Sequence, residues 1–178
     1  MNDTPLKPIR RVLVVDDDHS VRESLRRLLQ SEHFDVATAA NVCEALEAMH
    51  AARIDLVVLD VNLGGESGWD LFRHIAEREA FVPVVVVTGE WGQHEEAVRF
   101  GAEALLEKPI DVPVFLETLR ELLGRRGTQP RQRLPGRLDY CRYIPRHYEP
   151  VLRLLQERQD APFEIEATTD ICAVPGHR

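Results

Sequence analysis

The chain has 178 residues, enough for one full domain with a hydrophobic core and a shorter appendage. Hydrophobic residues make up 44% and charged residues 29%, a composition that excludes a wholly disordered protein. The formal net charge of -8 is uneven, because residues 1–123 carry 12 Lys and Arg against 23 Asp and Glu, whereas residues 124–178 carry 10 against 7. The acidic first part is therefore expected to be a poor general binder of nucleic acid, and only the second part could be one.

Targeting signals and disulfides are also not predicted. No run is long and apolar enough to span a bilayer, and the segment 1–5 lacks an export pattern, so we expect a cytoplasmic protein without a membrane partner. Cys43, Cys141 and Cys172 are odd in number and widely spaced, which does not indicate a disulfide framework.

Five apolar segments predicted as strands alternate with five amphipathic segments predicted as helices. The strands are 11–15, 34–39, 54–59, 84–87 and 104–106, and the helices start near Asp18, Asn41, Gly68, Gln93 and Asp111. Asn41 with Glu44 forms a capping-box pattern, and Gly101 is a left-handed cap for the fourth helix.

The strand pattern predicts the fold. Apolar runs without polar alternation are typical of parallel strands covered on both faces, and alternation with helices implies right-handed crossovers. For five such units we expect an α/β, flavodoxin-like, doubly wound five-stranded parallel sheet in the order 2-1-3-4-5, spanning residues 10–123 and followed by a short C-terminal extension.

The extension starts with a polar linker, predicted over 124–137, and residues 138–178 have no assigned role. A helix is predicted over 149–159 and a strand-like alternation over 163–168. This is too little for an independent core, so the segment is expected to dock on the domain or on a partner, or to stay mobile.

The linker region is basic, with seven arginines and one acid from Arg125 to Arg146. No helix-turn-helix or other binding module accompanies them, which favours a solvated linker over contact with DNA. Zinc ligation is a further, less favoured alternative, because the spacings fit no standard zinc site; the side chains in question are Cys141, His147, Cys172 and His177.

Carboxylates follow two of the predicted strands. Asp16 and Asp17 come after the first strand and Asp60 after the third, and the 2-1-3-4-5 order places these strand ends side by side. Because clustered carboxylates repel one another, a bound cation is expected, and oxygen ligands suit Mg²⁺, with Mn²⁺ as a surrogate. The backbone carbonyl of Asn62 is a further ligand candidate.

A hydroxyl and an ammonium complete the set. Thr88 ends the fourth strand and Lys108 follows the fifth. A cation, a lysine and a hydroxyl around Asp60 make an electrostatic clamp for a phosphoryl group, with Asp60 as the nucleophile. The alternative interpretation is that Asp60 only caps the turn after its strand.

These residues carry a family resemblance. Residues 10–123 resemble the receiver domain of two-component response regulators, a chemotaxis-regulator-like family with an acidic pair after strand one, an acceptor Asp after strand three, Thr or Ser after strand four and Lys-Pro after strand five. The corresponding residues are Asp16, Asp17, Asp60, Thr88, Lys108 and Pro109, and Gly68 falls where the family has its glycine.

The resemblance implies a function and a ligand set. Asp60 would accept a phosphoryl group from a sensor histidine kinase, a phosphotransfer protein or a small phosphodonor, with Mg²⁺ held by Asp17, Asp60 and the Asn62 carbonyl and with Asp16 acting partly through water. Such a protein is a phosphoacceptor switch that catalyses at most its own phosphorylation and dephosphorylation. The output would be a downstream protein or the chain's own extension, with a homodimer as an open alternative.

The resemblance also implies roles around the acceptor. Lys108 would pair with the phosphoryl oxygens, Thr88 would hydrogen-bond one of them, and the small Gly89 would leave the phosphoryl group reachable. The side chains of Asn62 and Glu90 would tune hydrolysis. The Lys108-Pro109 bond is cis in the family.

Two positions depart from the family pattern. Gly64 stands where the family usually has proline, which predicts a looser loop. Leu105 stands at the switch position, where the family usually has an aromatic residue.

Two other functions are alternatives to the switch. An aspartyl-phosphate phosphatase would use a similar nucleophile, but that family has a general-acid Asp where this chain has Asn62. A transcriptional regulator could bind DNA through the basic tail, although no DNA-binding module is evident in the sequence.

Overall fold

The predicted strands form one parallel sheet in the computed structural model, which describes residues 9–78, 82–124 and 141–145. The expectations for the remainder of the extension, including the helix at 149–159, the alternation at 163–168 and the three zinc-ligand candidates other than Cys141, lie outside the described residues.

The strands are β1 (Arg11–Val15), β2 (Asp35–Ala39), β3 (Leu56–Leu59), β4 (Asn62–Leu63), β5 (Glu66–Ser67), β6 (Val84–Thr88), β7 (Ala104–Glu107) and β8 (Arg142–Ile144). The helices are α1 (His19–Ser31), α2 (Val42–Ala51), α3 (Gly68–Arg78), α4 (His94–Phe100) and α5 (Val112–Gly124). Among the described residues, no helix combines the length and apolarity needed to cross a membrane.

The main sheet has the order β2-β1-β3-β6-β7-β8, and every neighbouring pair is parallel. Its first five positions confirm the predicted 2-1-3-4-5 order. The sixth strand, β8, comes from the segment assigned to the extension and was not predicted.

Apolar side chains project from both faces of the sheet, because successive residues of a strand point to opposite sides. One core cluster joins the sheet to α2, α3 and α4, and the other joins it to α1 and α5. This two-sided burial is why β1, β3 and β6 are almost continuously apolar.

Asp18 and Asn41, which the sequence places at helix starts, are side-chain caps. Asp18 caps α1 by accepting from the backbone N–H groups of Ser20 and Val21. Asn41 caps α2 by accepting from the backbone N–H of Glu44 at 2.9 Å.

The loop after β3 folds into a hairpin rather than remaining irregular. β4 and β5 pair antiparallel across Gly64 and Gly65, whose φ angles are 65° and 110°. Proline is held near a φ of -65°, so the residue usual in the family could not take the conformation of Gly64.

Candidate functional site

The predicted carboxylates meet at the carboxyl ends of β1 and β3. Val15 and Leu59 are in register, and the backbone N–H of Asp60 donates to the carbonyl of Val15 at 2.8 Å. Asp16 and Asp60 are buried and Asp17 is exposed, and one oxygen from each of the three carboxylates lies within 4.8 Å of the other two. The structure therefore brings these three side chains together.

Lys108 reaches the same point from the end of β7. Its Nζ lies 2.5 Å from Oδ2 of Asp60 and 2.7 Å from Oδ2 of Asp16. Burial alone would lower the pKa of Lys108, but its hydrogen bonds to the two carboxylates raise it, so the ammonium stays charged. Burial raises the pKa of the Asp16 carboxyl, and the bond from Lys108 opposes that shift. The ammonium of Lys108 thus offsets part of the repulsion between the neighbouring carboxylates.

The β4–β5 hairpin and the start of α3 both contact Asp60 and fix its position. The backbone N–H of Asn62 donates to Oδ1 of Asp60 at 3.0 Å. A Cβ at Gly68 would stand 2.3 Å from the carbonyl oxygen of Asp60 and 2.7 Å from Cα of Val61, so only glycine fits there. This close approach explains the glycine eight residues after the acceptor position.

Thr88 is fully buried at the end of β6, and Lys108 donates its backbone N–H to the Thr88 carbonyl at 2.8 Å. The Thr88 hydroxyl accepts from the backbone N–H of Glu90 at 3.0 Å. Beside it, a Cβ added to Gly89 would meet no atom within 4 Å, so the approach there is open. The hydroxyl in this structure therefore anchors the loop between β6 and α4.

Arg22 of α1 also belongs to the site, although it is not among the predicted site residues. Its guanidinium donates to the backbone carbonyls of Asp16 and Asp17 at 2.6 and 2.8 Å. It therefore fixes the acidic loop and adds a positive charge behind it. The helical spacing gave no signal for this, because the partner atoms are backbone carbonyls that precede the helix.

The switch position is apolar and covered. Leu105 is 1% exposed and belongs to the core cluster on the α4 side. Tyr143 of β8 lies beside it in register, and the Tyr143 hydroxyl donates to Oε1 of Glu107 at 2.7 Å. An aromatic ring therefore occurs next to this position, but it is contributed by β8.

The acidic set fits a hard divalent cation. Its oxygens are clustered, and Gly64 leaves the space that Asp17 needs, since a Cβ there would stand 3.2 Å from Oδ2 of Asp17. Carboxylate oxygens with room for water are the ligands that Mg²⁺ prefers. The cluster can therefore hold such an ion.

Residues 12–120 match the sequence model of a family, which is described as the response regulator receiver domain. The chain belongs to this family. It contains a receiver domain of two-component systems, and such domains are phosphoacceptor switches rather than classical enzymes. Response regulators as a class interact with histidine kinases.

Individual relatives agree with this assignment. The chain is 37% identical over 123 residues to the transcriptional regulatory protein FixJ of Azorhizobium caulinodans, covering 68% of this chain and 58% of FixJ. It is 28% identical to the regulatory protein VirG of Agrobacterium tumefaciens over 76% of this chain and 51% of VirG. The receiver thus matches little more than half the length of these curated relatives.

A solved structure with bound ligands also resembles the receiver. The response regulator TrrA of Thermotoga maritima, in complex with Mg(2+)-BeF, has a TM-score of 0.60 and 28% identity, covering 64% of this chain and 99% of TrrA.

Proposed function

We propose that Asp60 of this receiver accepts a phosphoryl group from the phosphohistidine of a sensor kinase or phosphotransfer protein, with Mg²⁺ held by Asp16, Asp17, Asp60 and the backbone carbonyl of Asn62. The observation that carries the proposal is the bond of 2.5 Å between Nζ of Lys108 and the Asp60 carboxylate, inside an acidic cluster at two adjacent strand ends. A lone turn-capping Asp would need neither the lysine nor the second acidic strand end.

The transfer step balances in atoms and charge. A carboxylate oxygen of Asp60 bonds to phosphorus as the phosphorus–nitrogen bond of the donor breaks, and the imidazole leaves with the electron pair of that bond. A bound Mg²⁺ would neutralise phosphoryl charge, which is the main way that proteins accelerate this reaction.

The chain's own residues orient the reactants. The backbone N–H of Asn62 and the ammonium of Lys108 hold the Asp60 carboxylate from two directions. After transfer, Lys108 would pair with the phosphoryl oxygens, and the Thr88 hydroxyl would turn to donate to one of them. The open space at Gly89 would leave the group reachable, and the side chains of Asn62 and Glu90 are proposed to tune its hydrolysis.

A phosphate adduct tests the proposal. The full chain is incubated with acetyl phosphate, with and without Mg²⁺, and its intact mass is measured. We expect an adduct that requires Mg²⁺ and is lost in Asp60→Asn. Sustained hydrolysis of external phosphoesters would instead support the phosphatase alternative, and an unchanged mass of the wild type would refute the proposal.

The regulated output is proposed to be a protein interaction. FixJ is described as a transcriptional regulatory protein, but its likeness to this chain covers 58% of its length, so that role is not transferred. A gel-shift experiment at several salt concentrations distinguishes specific binding by the basic tail from a charge effect, because charge-driven binding falls steeply with salt.

A further inference from the structure

β8 closes the edge of the sheet beside β7. Arg142, Tyr143 and Ile144 pair with Ala104, Leu105 and Leu106. Cys141 packs against the core cluster on the α4 side, and Ile144 packs against the cluster on the α5 side. The strand therefore occupies a row of backbone groups that would otherwise be open for pairing.

Tyr143 connects β8 to two neighbouring segments. Its ring lies 5.0 Å from the ring of His94, at the first turn of α4. Its hydroxyl donates to the carboxylate of Glu107, a side chain that is only 3% exposed. Tyr143 itself is 41% exposed, so it is held by these contacts more than by burial.

Glu107 and His94, which contact Tyr143, belong to segments that carry acceptor-site residues. Glu107 precedes Lys108 and pairs with Thr88 across β6 and β7. On the other side, the Thr88 hydroxyl anchors the backbone of Glu90, at the start of the loop that leads to His94. A change at Thr88 and Lys108 can therefore reach Tyr143 through a strand and through a loop.

The docked strand is also short, so a change at the acceptor site can shift the equilibrium between its docked and undocked states. β8 has three residues, whereas an average strand has five or six, and the ion pairs of Arg142 with Glu117 and Glu121 on α5 are exposed. Local opening of such an element costs far less than global unfolding. A modest difference in contacts between two states of the acceptor site is then enough to shift the docking equilibrium.

We propose that β8 is an autoinhibitory strap whose docking on β7 and the phosphorylation of Asp60 oppose each other, with Tyr143 as the coupling residue. The inference rests on the proposed function. In this structure β8 is docked on β7, and at the same time the Thr88 hydroxyl accepts from the backbone N–H of Glu90. When that hydroxyl turns to a phosphoryl oxygen, the anchor is lost, the start of α4 moves away from Tyr143, and β8 leaves.

Cys141 reports the docking directly. Its burial, together with the nearby Glu103 carboxylate, raises the pKa of its thiol to about 11, so it has little reactive thiolate while β8 is docked. Cys43 is exposed on α2 and serves as an internal control. The experiment uses the full chain with Cys172→Ser and follows alkylation of each cysteine by iodoacetamide using peptide mass spectrometry, with and without beryllium fluoride and Mg²⁺.

We expect beryllium fluoride with Mg²⁺ to accelerate alkylation of Cys141 at least about five-fold, the lower end of typical coupling between sites, and to leave Cys43 unchanged. Asp60→Asn should abolish the acceleration. Because coupling is reciprocal, Tyr143→Ala should tighten beryllium fluoride binding by a similar factor. Tyr143→Phe, which loses the hydroxyl and its bond to Glu107 but keeps the ring, should tighten it less.

The outcomes separate this inference from the proposed function. If acetyl phosphate labels Asp60 but Cys141 reactivity stays constant or falls with beryllium fluoride, the strap is refuted and the acceptor assignment stands. If Tyr143→Ala leaves beryllium fluoride affinity unchanged, the coupling role of Tyr143 is refuted. If no adduct forms on Asp60 with acetyl phosphate, both proposals fall.

Discussion

Replacing Gly68 with alanine tests how tightly α3 is seated under the acceptor residue. The added Cβ would lie 2.3 Å from the carbonyl oxygen of Asp60 and 2.7 Å from Cα of Val61. Both are backbone atoms, so the clash can be relieved only by moving the end of β3 or the start of α3. Overpacking of this kind costs about 1–3 kcal/mol, and the better helix propensity of alanine offsets at most about 1 kcal/mol of it.

Because both clashing atoms are backbone, the upper part of that range applies, and after the offset we expect Gly68→Ala to lower the free energy of unfolding by about 1–2 kcal/mol. It should also slow phosphorylation because Asp60 is displaced. The assay is urea denaturation followed by circular dichroism, with comparison of midpoints at unchanged slope. Gly124→Ala is the matched control, since a Cβ there meets nothing within 4 Å, and its stability should match or slightly exceed the wild type. A Gly68→Ala protein as stable as Gly124→Ala would refute the packing argument.

Three further predictions follow from individual contacts. Arg22→Ala removes two hydrogen bonds to the carbonyls of the acidic loop and should weaken Mg²⁺ binding roughly ten-fold in a fluorescence titration. Arg26→Ala, which removes an ion pair with Glu23 on the surface of the same helix, should leave Mg²⁺ binding unchanged, and equal effects of the two variants would contradict the positioning role of Arg22. Because its pKa rises from 9.0 to about 11 in the folded protein, Cys141 has roughly a hundred-fold less thiolate at pH 8, and folding should protect it from iodoacetamide. The contribution of this thiol to the free energy of unfolding should be full below pH 9.0 and disappear as the pH rises through about 11. Equal reactivity in native and urea-unfolded protein would be inconsistent with the shift. Asn41→Ala removes the α2 cap and should cost about 1 kcal/mol in urea denaturation, and no change in midpoint would show that the cap is dispensable.

The core of the fold could be predicted because its signals are local and repeated. Continuous apolar runs at β1 and β3 indicated parallel strands buried on both sides, and the strand order then placed Asp16 and Asp60 beside each other. The Asn41 cap was also readable, since its partner lies three residues away.

What was missed depends on contacts between distant segments. The short β8 has no periodicity of its own, and it is defined by pairing with β7. The β4–β5 hairpin depends on two glycines at positive φ, which form the turn between two strands of two residues each. Arg22 resembles any solvated helix arginine until the preceding loop folds back over it.

The most direct test of the central claim is to locate the phosphoryl group. After reaction with acetyl phosphate and Mg²⁺, the full chain is treated with borohydride, which reduces an aspartyl phosphate to homoserine, and its peptides are sequenced by mass spectrometry. The account predicts homoserine at position 60 and at no other aspartate of the acidic cluster. Recovery of unmodified Asp60 from phosphorylated protein, or homoserine at Asp16 or Asp17 in its place, would contradict it.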